Sequence, residues 1–205
     1  MNEGSNGLLI SSNIIESASS GTRIDVIHLL ERQKLQPPAN AYLIEENRYG
    51  IAYATKRQFP YLITYGLFDC RAIGFYKPTE KKGLLAHLSV TRDLSEAIER
   101  IIEEFGGDIS DSDAFLISGR NELLIDTVVT DNEGFVYPAY SRISKELLKH
   151  RPRRLLLDSD SYVRNRSIAL DLRTGQLSEI DMTQKWEWEK NDRSLNKKLE
   201  INLAE

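Results

Sequence analysis

Thr64, Cys70 and His87 are the residues of this sequence whose types and spacing can do covalent chemistry. Cys70 is the chain's single cysteine. A lone cysteine often behaves as a small buried hydrophobe. Its neighbourhood argues for more. It follows Gly66-Leu67-Phe68-Asp69, a break between two expected strands at 61–65 and 70–76. A nucleophile just after a turn combines an exposed sulfur with backbone N–H groups able to hold an oxyanion, Cys70's own among them. His87 lies one strand–turn–strand unit downstream. A neighbouring imidazole can take the thiol proton and stabilise the thiolate. Thr64, on the preceding strand, can fix the imidazole's tautomer, the task of the third member of a triad.

The implied reaction is hydrolysis of an amide. The thiolate attacks the amide carbon, His87 protonates departing ammonia, and water activated by His87 then cleaves the thioester. An amine in place of water would give transamidation from the same intermediate. A peptidase would use the same pair.

Thr64, the Gly66-Leu67-x-x-Cys70 turn and Ala86-His87 resemble the chemoreceptor glutamine deamidase (CheD) family in order and spacing. That family is distantly related to deamidating toxins of the cytotoxic necrotising factor and Burkholderia lethal factor type. The resemblance spans roughly residues 40–130, its motif part 64–90. It implies an α+β fold, a layered sandwich with mixed or antiparallel sheets covered by helices. It implies a bacterial hydrolase converting a protein glutamine to glutamate, without cofactor or metal. Cys70 would be the nucleophile, His87 the base and then acid, and Thr64 the orienting residue. Gly66, Leu67, Phe68 and Asp69 would form the oxyanion turn. The partner would be a chemoreceptor-like or host protein carrying the target glutamine. The family carries small residues where this chain has Phe68-Asp69. A carboxylate facing the sulfur would raise the thiol pKa. A catalytically inactive, partner-binding protein of the same fold is therefore the alternative.

Composition bounds the rest. With 40% hydrophobic and 28% charged residues, the chain has ordinary globular composition. A net charge of -4 argues against a general nucleic-acid binder. No run approaches the ~20 apolar residues of a membrane helix, so membrane insertion is not expected. The beginning of the sequence lacks the basic region of a secretory signal. A reducing, cytoplasm-like compartment fits one unpaired cysteine. Specialised delivery to a host cell without a cleaved signal fits as well.

The elements that must position the triad follow from pattern. Residues 1–21 read as a loosely ordered lead-in, 22–183 as the catalytic domain and 184–205 as a charged tail or terminal helix. Helical spacing of Ile24, Ile27, Leu30 and Leu35 predicts a helix over 22–35. Strands are expected at 41–46 and 50–55, joined by a hairpin turn at Asn47-Arg48-Tyr49-Gly50. A further strand is expected at 84–90. Asp93 and Glu96 set up a capping box for a helix with apolar face Leu94, Ala97, Ile98, Ile101, Ile102 and Phe105, stopped by Gly106-Gly107. Strands at 114–118 and 123–130, a helix at 139–149, and strands at 154–158, 166–172 and 176–181 complete the reading. Strand pairs between helices favour antiparallel or mixed sheets over a doubly wound one.

His28 reads as structural, and His150 as part of a solvated basic helix end. Asp108, Asp111, Asp113, Asp158 and Asp160 lack calcium-loop spacing and read as loop and cap residues. Three separated histidines and one cysteine make a zinc site improbable. Trp186 and Trp188 either staple the tail to the body or meet a partner.

Overall fold

Runs such as Arg71-Ala-Ile-Gly-Phe-Tyr-Lys77 and Lys82-Gly-Leu-Leu-Ala-His-Leu88 are apolar on both strand faces, the pattern of strands covered on two sides. The computed structural model describes residues 13–16, 21–27, 41–54, 60–68, 70–89, 94–118, 125–130, 136–140, 142–158, 165–180 and 197–198. It places those two strands inside an eight-stranded sheet. In spatial order the sheet comprises β1 (Asn13–Glu16), β2 (Arg23–Ile27), β11 (Arg154–Asp158), β8 (Asp113–Ser118), β6 (Arg71–Lys77), β7 (Lys82–Leu88), β4 (Arg48–Tyr53) and β14 (Lys197–Lys198). β11 is parallel to β2 and β8, and the other neighbours are antiparallel.

A second sheet orders β13 (Leu177–Glu179), β12 (Arg166–Asp171), β5 (Tyr61–Leu67) and β3 (Ala41–Leu43), with only β3 and β5 parallel. β9 (Ile125–Thr130) and β10 (Val136–Tyr140) form an antiparallel pair. The helices are α1 (Leu94–Phe105) and α2 (Arg142–Lys149). The fold is α+β with mixed sheets.

Two cores flank the large sheet. On one face Ile73, Phe75, Leu84, Ala86 and Leu88 pack with Ile98, Ile101 and Phe105 of α1 and Leu147 of α2. On the other, Cys70, Ala72 and Leu85 pack with Leu62, Ile168 and Leu170 of the small sheet. Helices thus cover one face, and a second sheet covers the other. Gly74 sits opposite Phe115 in the β6–β8 ladder, and a side chain there would overlap the phenyl ring. The glycine makes room for the aromatic in the layer between the sheets.

Several sequence expectations are corrected. Residues 23–27 form strand β2, not the start of a helix over 22–35. Ile24 and Ile27 do recur at helical spacing, but parallel pairing with β11 decides the conformation. Residues 28–35 lie outside the described residues. Asn13–Glu16 is a strand paired with β2, inside the segment read as a loose lead-in. Asn47–Gly50 is no hairpin: β3 joins the small sheet and β4 the large one, so the connection crosses between layers. Val136–Tyr140 is strand, and α2 begins only at Arg142. Lys197–Lys198 of the expected tail pairs with β4. Helix α1 buries Ala97, Ile98, Ile101, Ile102 and Phe105 of the expected face and ends at the expected stop. Gly106 and Gly107 both adopt positive φ and donate to the Ile102 carbonyl, at 3.1 and 2.8 Å. Asp93, His28, Trp186 and Trp188 lie outside the described residues.

Candidate active site

Thr64 and His87 meet in the layer between the sheets, and Cys70 belongs to an apolar cluster of the same layer. His87 sits near the end of β7, directly opposite Ala72 of β6. It shares a face with Ala72 and Leu85, and so points toward the small sheet. Cys70 precedes β6 and belongs to the same apolar cluster as Ala72. It lies two residues along from the cross-strand partner of His87. Thr64 comes from β5 on the opposite sheet.

A bulge in β5 creates this arrangement. Ile168 pairs with Thr64 but Arg166 with Leu67, so β5 carries one extra residue there. Gly66 sits in the bulge with φ 79°, and an added Cβ would meet nothing within 4 Å. Conformation, not space, therefore demands glycine. The bulge changes the alternation, so Thr64 and Leu67 both face inward. The Phe68 N–H then donates to the Gly66 carbonyl at 2.8 Å, a tight reversal about Leu67. That use removes one amide from the expected oxyanion set. Asp69 lies outside the described residues. Phe68 is exposed, as is Tyr65.

The hydrogen bonds assign the imidazole tautomer. The Thr64 hydroxyl donates to the Ile44 carbonyl at 2.9 Å. A carbonyl can only accept, so the single hydroxyl proton is committed there. Toward His87 Nδ1, at 2.7 Å, the Thr64 oxygen must therefore accept. Nδ1 carries the proton and Nε2 the lone pair. Nε2 is buried and has no hydrogen-bond partner among the described residues. The direct thiol–imidazole hydrogen bond expected from sequence is therefore not formed here, while the Thr64–His87 contact is. Apo sites often hold such contacts long and tighten them around substrate.

Burial lowers the His87 pKa to about 4. Burial disfavours the charged imidazolium, so the ring stays neutral near pH 7. The linkage has a definite sign. The folded-state value lies below the ordinary 6.5, so between those values the unfolded chain binds the extra proton. Stability is lost as pH falls from 6.5 toward 4, by about 3 kcal/mol. Replacing His87 with glutamine should remove that component. Urea unfolding of both proteins from pH 7 to 4 checks it; parallel curves would show that His87 is not held neutral.

Behind the bulge lies a group the sequence reading missed. Arg166, 1% exposed, donates through Nη1 to the Asp158 carboxylate and, at 3.2 Å, to the Ser118 carbonyl. Its Nη2 donates to Glu179 at 3.5 Å. The cluster spans both sheets. Its sequence signal is the β12 alternation, in which Arg166 falls on the inward face with Ile168 and Leu170.

Asp160 lies outside the described residues. Asp108 accepts the Ser110 N–H, Asp111 pairs with Lys77 and Asp113 with Arg153, while Asp158 is a buried ion-pair partner rather than a loop residue. His150 follows α2, with Nε2 4.0 Å from Glu99. No metal-ligand cluster occurs among the described residues, and none of their helices is long and apolar enough to cross a membrane.

No protein-family model and no curated protein matches the chain. Among solved structures, Neisseria meningitidis protein NMB0706, described under family model DUF152, is similar with a TM-score of 0.40 at 9% identity. The match covers 60% of this chain and 64% of that one, so less than two thirds of that protein's length is spanned. A likeness this weak supports no assignment of activity.

Proposed function

We propose that this protein is a Cys–His hydrolase that deamidates a glutamine side chain of a protein substrate. The observation that carries the reading is the Thr64–His87 hydrogen bond, which leaves a neutral imidazole with its Nε2 lone pair in the layer that Cys70 shares. The order and spacing of Thr64, Cys70 and His87, which resemble the CheD-like deamidases, add to it. In this reading His87 removes the thiol proton and the sulfur attacks the amide carbon. The protonated imidazole then delivers that proton to departing ammonia. Water, losing a proton to His87, cleaves the thioester to glutamate and regenerates the thiol. Oxyanion stabilisation falls to turn amides other than that of Phe68. The exposed rings of Tyr65 and Phe68 beside the turn suit a polypeptide better than a free amino acid.

The test is incubation with candidate chemoreceptor-like and host proteins, followed by mass spectrometry. The expected result is glutamine-to-glutamate conversion with matching ammonia release, blocked by prior alkylation of Cys70. Conversion that survives alkylation would exclude the thioester route. The second reading is a catalytically silent partner-binding protein, for which the same exposed aromatics would serve as the docking surface. Binding without conversion across the candidates would favour it.

A further inference from the structure

The connection from β3 to β4 touches both partners of the Thr64–His87 hydrogen bond. At its start, Ile44 donates its N–H to the Ile63 carbonyl at 2.7 Å and accepts the Thr64 hydroxyl at 2.9 Å. Three residues on, Asn47 donates its N–H to the His87 carbonyl at 2.7 Å. Its side-chain oxygen accepts from the Ser89 hydroxyl at 2.9 Å and the Ser89 N–H at 3.3 Å. Asn47 adopts φ 57°, a left-handed conformation that asparagine tolerates better than most residues.

The need for this clamp is visible in the ladders. On one side, β6 pairs with β7 as far as Leu88. On the other, β4 stops at Arg48, opposite His87 itself. Histidine therefore sits at the last rung on that side. The Asn47 backbone and side chain continue the bonding past the rung, reaching both His87 and Ser89.

We infer that Asn47 is a positioning residue, whose side-chain oxygen holds the end of β7 so that His87 stays locked on Thr64 in the Nδ1–H tautomer. This rests on the Cys–His reading for its catalytic consequence, though not for its structural one. Asn47 does not touch the reacting atoms. It acts by fixing the backbone that carries the base, and misplacement of a catalytic group by about 1 Å can cost 10²-fold.

The experiment compares Asn47→Gly, Asn47→Asp and Ser89→Ala in the full chain. Glycine keeps the left-handed backbone and loses the clamp oxygen; aspartate keeps the acceptor. The first readout is ¹⁵N NMR of the His87 ring, assigned with His87→Gln. The wild type and Asn47→Asp should show a single Nδ1–H tautomer, and Asn47→Gly a mixture. The second is the iodoacetamide alkylation rate at Cys70, expected to fall at least tenfold in Asn47→Gly and to recover to within about threefold in Asn47→Asp. Ser89→Ala, which needs no positive φ, should show a smaller change in the same direction and decides the matter if Asn47→Gly does not fold.

An unchanged tautomer in the folded Asn47→Gly or, failing that, in Ser89→Ala overturns the inference. If instead His87→Gln leaves Cys70 alkylation at the wild-type rate, the Cys–His reading fails while the tautomer readout still judges Asn47.

Discussion

Replacing Cys70 with alanine should lower glutamine conversion about 10⁶-fold, the scale on which losing a covalent nucleophile acts. Among the described residues, the nearby hydroxyls are already committed. The chain has no second cysteine. The Thr64 hydroxyl proton is committed to the Ile44 carbonyl, and the Ser89 hydroxyl donates to Asn47. A hydroxyl there would also be a far weaker nucleophile than a thiolate. The fold should survive, because the change removes one sulfur from an apolar cluster and costs about 1–2 kcal/mol. Mass spectrometry of the substrate and the urea midpoint of the variant measure the two halves separately. Retained conversion in a folded Cys70→Ala protein would end the nucleophile assignment.

Arg166→Met should destabilise the protein by about 3–5 kcal/mol, a large share of the roughly 5–15 kcal/mol that holds a domain folded. The methionine fills much of the volume but leaves the carboxylates of Asp158 and Glu179, 2% and 5% exposed, without the guanidinium that faces both. The cost is mainly that of withdrawing the guanidinium from two buried carboxylates, so it should be recoverable. Arg166→Met combined with Asp158→Leu and Glu179→Leu should regain most of the stability, since apolar replacement of a whole buried ion cluster is often near neutral. Urea unfolding of the single and triple variants tests this. A single variant within 1 kcal/mol of wild type would mean that water or relaxation compensates the carboxylates.

The legible and illegible parts of the sequence separate by range of interaction. Helix α1 is local: its apolar face and paired glycines lie within one short stretch, and the structure repeats them. The β6–β7 hairpin is equally local. Cys70 precedes that hairpin and His87 lies in its second strand, so their placement on one face follows from local pairing, while Thr64 reaches His87 from the other sheet. Residues 23–27 failed because Ile24 and Ile27 satisfy a helical period, while the strand is imposed by β11, more than a hundred residues away. The Arg166 cluster joins residues of β8, β11, β12 and β13, and no short pattern announces such a meeting. Asn47 looked like a hairpin residue because turn chemistry is the same whether the flanking strands pair together or enter different sheets. The hydrogen bond from Phe68 to Gly66 depends on a bulge that sequence alone places only as a glycine after a strand.

The bulge at Gly66 and the cluster at Arg166 share a setting with the Thr64–His87 bond: each lies where two sheets without a common backbone ladder meet. Thr64 reaches His87 across that seam, and Arg166 reaches Asp158 and Ser118 across it. A slip of one residue between the layers, about 3.3 Å, would break these contacts while sparing every strand's own ladder. The imidazole tautomer is thus a gauge of interlayer alignment. On gentle heating or in mild denaturant, the Thr64–His87 bond would be lost while backbone circular dichroism still read as folded.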